Sequence, residues 1–191
     1  MCPTCRMICL QTGTFFKTSS DKAVADVQGS TEASAGRPPS GMTLQVVAVR
    51  AKSEGLVQLR SSDSFHKPHI ITTTFRTDDV ESLTKGLGVG RKLFGQPAFE
   101  DTIGKEVFPG ADVTELTDYI KSTVHSTNSL AGTCKMGSAS DDVAVVDSDL
   151  KVKGVAGLRV IDASVMPCIP GGQTGVATVT IAEKAADMLW L

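Results

Sequence analysis

Two stretches carry side chains and main-chain groups that could do chemistry. The first is His125-Ser-Thr-Asn128. Its imidazole can move a proton near neutral pH, and its primary amide can donate and accept hydrogen bonds without ionising. The second begins at Gly157 and runs into the C-terminal helical pattern. There, Leu158, Val160 and Ile161 form an apolar run suited to a buried strand, and Asp162 and Ser164 stand where it would end. Pro170-Gly-Gly172 then breaks the chain just before a helical pattern, leaving unpaired N–H groups at a helix start. A strand end, a glycine turn and a helix head in succession can hold a phosphate or the polar edge of a cofactor. The same succession is also an ordinary packing turn, and spacing alone leaves both readings open. His125 has no Asp or Glu beside it to orient it, so a structural role stands next to a catalytic one.

The chain has 191 residues, enough for one domain or pieces of two, and it is long enough to bury a core. A net charge of −2 gives no electrostatic reason to expect nucleic acid or an anionic membrane as partner. No apolar run approaches the roughly 20 residues of a membrane span, so no transmembrane segment is expected. Cys2, Cys5, Cys9, Cys134 and Cys168 are odd in number and unevenly placed, unlike a secreted disulfide framework. Cys2-Pro-Thr-Cys5 has half-knuckle spacing without a second Cys or His pair nearby, so no metal site is expected.

The elements that must position these stretches are mixed α and β. Residues 17–41 read as a loop or linker. Strands are predicted from Met42 to Val49, Leu56 to Arg60 and Ile70 to Phe75, with His66 and His69 in a solvated loop. A helix capped by Asp78 or Asp79 runs to Leu93, with Gly86, Gly88 and Gly90 in it. Such glycines lower helix stability unless they allow close packing. A second helix is predicted from Val113 to Val124, capped by Asp112 or Thr114. The last begins near Val176, with Val179, Ala182, Ala186 and Leu189 on one face.

Ala131-Gly-Thr-Cys-Lys-Met-Gly137, Val145-Val-Asp147, Gly157 to Pro167 and Pro170 to Leu189 resemble the closing segments of the glucose-methanol-choline (GMC) family of flavin-dependent oxidoreductases. The stretch from Ser40 to Val124 resembles that family's substrate domain. The resemblance implies an α/β fragment: an antiparallel substrate-domain sheet with helices, and the segment that returns to a Rossmann-like FAD domain. Residues 1–39 are unmatched and expected to be disordered or misassigned, 40–130 to be part of the substrate-binding domain, and 131–191 to complete the FAD domain. The cofactor implied is FAD, with Asp162, Ala163, Gly172, Gln173 and Thr174 as its binding residues. The family's G-x-G-x-x-G unit lies near the N-terminus of complete members and is not found here, so the chain is expected to be a fragment.

The resemblance implies that alcohol-oxidising members carry a catalytic histidine at the position of Ser129 and a histidine or asparagine at that of Gly175. The residues here are instead similar to those of the algal fatty acid photodecarboxylases, in which light drives loss of CO2 from a long-chain carboxylate. On that resemblance Asn128, Gln173 and His125 are the catalytic candidates, Asn128 a substrate-binding one, and the location a plastid; Arg50, which follows a predicted strand, is a further substrate-binding candidate beside its reading as a solvated strand-end arginine. The substrate implied is a long-chain fatty acid or another small molecule. That branch also uses an upstream cysteine and arginine, roles not assigned to Cys9 or Arg6. Two alternatives stand beside this reading: an FAD-dependent alcohol dehydrogenase of the choline type using His125, and a non-catalytic remnant. The 191-residue chain by itself is expected to be inactive.

Overall fold

A computed structural model describes residues 12–17, 25, 27–33, 42–72, 76–101 and 103–190. The cysteines near the N-terminus, the Gly36–Gly41 linker and Phe75 lie outside the described residues. The chain divides into two compact units, one drawn from Met1–Ala48 and Phe75–His125, the other from Val49–Thr74 and Ser126–Leu191.

The first unit holds an antiparallel sheet of β1 (Thr12–Phe16), β2 (Val27–Ala33) and β3 (Met42–Ala48), in that order. β2 is thus a strand within residues 17–41, read from the sequence as a loop or linker, and β1 and β2 both fall within residues 1–39, expected to be disordered or misassigned. The sequence of β2, Val-Gln-Gly-Ser-Thr-Glu-Ala, has little strand propensity, and its order comes from pairing along its whole length with β3, Val27 opposite Ala48 and Ala33 opposite Met42. The helix α1 (Thr77–Phe94) packs on β2, β3 and α2 (Thr117–Thr123). Val80, Leu83 and Leu87 on one face of α1 meet Leu116 and Ile120 in the core.

Both helix starts differ from the expectation. Arg76, with extended backbone, is the N-cap of α1, and Asp78 and Asp79 lie inside the first turn, where their charge favours the positive end of the helix dipole. The second helix begins at Thr117 rather than near Val113. The Val113 carbonyl, which would accept the Thr117 N–H in a longer helix, accepts from Arg91 Nη1 at 2.9 Å. The Thr117 N–H donates instead to the Glu115 carboxylate at 2.9 Å. Arg91 also donates to Glu106 and to the Gly110 carbonyl, so one guanidinium fixes the whole connection to α1.

In the second unit β4 (Gly55–Gln58) and β5 (His69–Thr72) form an antiparallel hairpin. His69 is thus a strand residue, while His66 stays in the exposed loop with its Nδ1 2.7 Å from Ser61 Oγ. The strand predicted around Leu158 to Ile161 is reduced to a bridge between Lys151 and Arg159, and Leu158 is half exposed. The turns at Gly154 and Gly157 double the chain back so soon that only a few residues can pair. The last helix, α3 (Thr174–Trp190), buries Ile181 and Ala185 against Val146, Leu150 and Val165. Val179 and Leu189, expected on the buried face, are 61% and 56% exposed. Apolar residues surround much of α3, so periodicity left its phase ambiguous; small Ala185 lets the backbone approach the core most closely. None of the described helices is long and apolar enough to cross a membrane.

Gly86 and Gly90 of α1 are buried, and a Cβ at Gly90 would overlap the Leu44 side chain, whereas Gly88 faces open space. Gly88→Ala is therefore expected to raise stability by about 0.5–1 kcal/mol. Gly90→Ala is expected to gain less, because Leu44 must move. Chemical denaturation of the two variants checks the contrast.

Candidate functional site

The site is mounted on main-chain pairing between short segments. Cys134 N–H donates to the Ser164 carbonyl at 2.9 Å and Met136 N–H to the Val165 carbonyl at 2.8 Å. Gly137 N–H reaches the Val146 carbonyl, Lys153 N–H the Val145 carbonyl and Val152 N–H the Leu158 carbonyl, each at 3.0–3.1 Å. These links carry the Gly-Thr-Cys segment, Val145–Asp147 and the 151–160 turn as one ladder. At its edge Asp162 has extended backbone, and its Oδ1 accepts from the Ser164 N–H at 2.8 Å and from the Ser164 hydroxyl. That carboxylate shapes the 3-10 turn of Ala163–Val165, which packs against α3.

Ahead of α3 the Gly172 N–H donates to the Pro170 carbonyl at 2.8 Å, closing a tight turn. Gln173 follows, exposed, and Thr174 opens the helix. Gly172 is half-buried, with open space where a side chain would project. Arg50 is brought to the same turn: its guanidinium lies against Gly171. Asn128 belongs to this unit too, exposed and in the left-handed region at φ 60°, with its N–H donating to Ser126 Oγ at 3.0 Å. Asparagine tolerates that conformation better than most residues. His125 belongs to the other unit; its exposed ring places Nδ1 3.3 Å from the Thr123 carbonyl. Cys134 and Cys168 are free thiols, and the described residues hold no cluster of three or more metal-ligating side chains.

Three supports escaped the sequence reading. Asp147 Oδ1 accepts from the N–H groups of Asp149 and Lys151 at 2.9 Å, holding buried Leu150 at φ 63°. Lys153 Nζ donates to the Ser138 and Asp141 carbonyls at 2.7 and 2.8 Å. Asp141 Oδ1 accepts from the Val143 N–H at 3.0 Å, and Lys135 stands 3.5 Å from its other oxygen. The Asp-Ser-Asp run at 147–149 was a turn signal, but a lysine reaching back to carbonyls has no local signature. The Val143 hydrogen bond chiefly, with the Lys135 charge adding, lowers the Asp141 carboxyl below its ordinary value against the opposing effect of burial.

The donor set at the head of α3 is chemically apt for FAD. The main-chain N–H groups of Gln173 and Thr174 and the Gln173 amide can meet an acceptor-rich edge, and the bare face of Gly172 admits close approach. The sequence profile described as GMC oxidoreductase matches residues 51–182, and the chain belongs to that family. FAD is the cofactor of the family. The chain is 47% identical over 156 residues to the chloroplastic fatty acid photodecarboxylase of Chlamydomonas reinhardtii, a match covering 79% of this chain and 26% of that protein. It is 36% identical over 191 residues to mitochondrial choline dehydrogenase of Mus musculus, covering 94% of this chain and 32% of the relative. The pyridoxine 4-oxidase of Mesorbium loti shares the fold, with a TM-score of 0.81 over 92% of this chain and 36% of that one at 24% identity. The chain thus spans about a quarter to a third of the length of the curated relatives it matches.

Two outcomes follow for the scaffold. A Cβ at Gly137 would stand 2.6 Å from Ala144 Cβ and 2.7 Å from Asp141 Oδ2. Gly137→Ala is therefore expected to cost about 1–3 kcal/mol in a denaturant titration. A lowered carboxyl stabilises the fold above its unfolded pKa and loses that contribution as pH falls through the folded value. The stability advantage of the wild type over Asp141→Asn should hold at neutral pH and shrink below about pH 4, read from denaturation midpoints across that range.

Proposed function

We propose that this chain is the C-terminal part of an FAD-dependent enzyme that removes CO2 from a long-chain carboxylate under light. The observation that carries the reading is the pair of neutral amides, Asn128 and Gln173, near Ser129 and Gly175, which stand where alcohol-oxidising members of the family carry a histidine and a histidine or asparagine. The 47% identity to the photodecarboxylase supports it. On this reading residues 40–130 supply part of the substrate-binding domain and 131–191 complete the FAD domain. Asp162, Ala163, Gly172, Gln173 and Thr174 hold the cofactor, Asp162 by shaping the 3-10 turn and the others through the α3 head and its approach.

When bound, FAD supplies the light absorption and the electron acceptor. The protein's own part is to bind and orient. Asn128 donates its amide hydrogens to the carboxylate, which it can do without taking a proton, and Arg50 supplies a neighbouring positive charge. Gln173 can bridge the carboxylate and the cofactor edge. His125 adds a polar imidazole that can donate or accept a hydrogen bond. A plastid location accompanies this reading, since the Chlamydomonas relative is described as chloroplastic.

A second reading, a choline-type alcohol dehydrogenase, is favoured by the mouse relative's match along nearly the whole chain. There His125 would take the alcohol proton. The two are separated by illuminating the longer protein that carries this chain with blue light in the presence of a long-chain fatty acid. CO2 release and a hydrocarbon one carbon shorter are expected, with Asn128→Ala lowering the rate about tenfold or more. Choline oxidation in the dark without light-driven CO2 release would establish the second reading instead.

A further inference from the structure

We infer that Arg50 is a positioning residue that clamps the Pro170–Gln173 turn through the bare backbone of Gly171, an inference that rests on the flavin reading for its consequence. Arg50 follows Val49, which is only 5% exposed, so the side chain extends from an anchored base. A Cβ built on Gly171 would lie 2.5 Å from Arg50 Nη2, 3.0 Å from Cζ and 3.3 Å from Nε. Three atoms of the guanidinium thus occupy the space that a side chain at position 171 would take. Glycine is what makes that seat available.

The turn needs such a restraint. Gly171 and Gly172 in succession have more conformational freedom than any other residue pair, and the Gly172 N–H to Pro170 carbonyl bond leaves Gly171 between its two ends. A guanidinium seated on Gly171 narrows that freedom and so fixes where Gln173 and the first N–H groups of α3 point. Groups that must meet a cofactor edge gain from being held before it arrives. Lysine lacks the plane and is not an equivalent.

The geometry offers a double-mutant test. In Gly171→Ala the new methyl meets the far end of a flexible side chain, so Arg50 is pushed away while the fold is retained. Gly171→Ala and Arg50→Ala should therefore produce the same defect, and combining them should add nothing. In the 191-residue chain each single variant is expected to speed amide hydrogen exchange at Gly172, Gln173 and Thr174 about tenfold, with the double variant no faster and Arg50→Lys close to Arg50→Ala. In the longer protein loaded with FAD both single variants should shift the visible flavin band alike. Exchange within twofold of wild type in Arg50→Ala, defects that multiply in the double variant, or an unmoved flavin band would each overturn the inference. If the longer wild-type protein carried no flavin, the reading under the previous heading would fail, and the exchange measurements would still decide whether Arg50 holds the turn.

Discussion

Val146 has no exposed surface, and its main chain joins the strand-like segment before it to the one after it, beside Met136 on one side and Val152 on the other. A buried backbone must have its N–H and C=O groups paired, and here the partners come from segments too short to count as strands. The second unit therefore depends on register among short pieces. Val165 and Ala185 close over the same point, so the 3-10 turn after Asp162 and the helix that begins at Thr174 are referred to one hydrophobic centre. Everything placed near the glycine turn inherits its position from that centre.

Several charged side chains among the described residues hold irregular backbone. Arg91 takes two carbonyls and a carboxylate, Lys153 two carbonyls, and Asp147 two amides. These are charge-assisted bonds to groups that no helix or sheet would otherwise satisfy. They explain how a region with so little regular secondary structure can present a defined surface. They also separate two kinds of polar residue in the conspicuous motifs: Asp147 and Asp162 spend their carboxylate oxygens on neighbouring N–H and O–H groups, whereas Gln173 and Asn128 are exposed.

Much of the arrangement was legible from residue order because it is local. The helix from Thr77 to Phe94, the strands at Met42–Ala48, Gly55–Gln58 and His69–Thr72, though not their pairing, and the helix after the Pro-Gly-Gly turn each follow from periodicity or from a break in it. Three of the misses share a cause. β2 is a strand because β3 lies beside it, α2 starts late because Arg91 has taken the Val113 carbonyl, and α3 is rotated because Ala185 fits the core. Each is a tertiary interaction overriding a local preference. At the candidate site, composition could mark the glycine turn and the amides, but not that Arg50, distant in sequence, would lie on Gly171.

The division of the chain into interleaved units carries a consequence for synthesis. The strands of the first unit emerge from the ribosome before the helices that cover them, with the Val49–Thr74 excursion between. Arg50 emerges long before Gly171. The helical core of each unit comes from one continuous stretch, but β2 and β3 must wait for α1, so these early-made strands stay uncovered while the intervening chain is translated. Loop-closure entropy rises only slowly with that separation, so the delay bears more on vulnerability to aggregation and on the need for chaperones than on final stability.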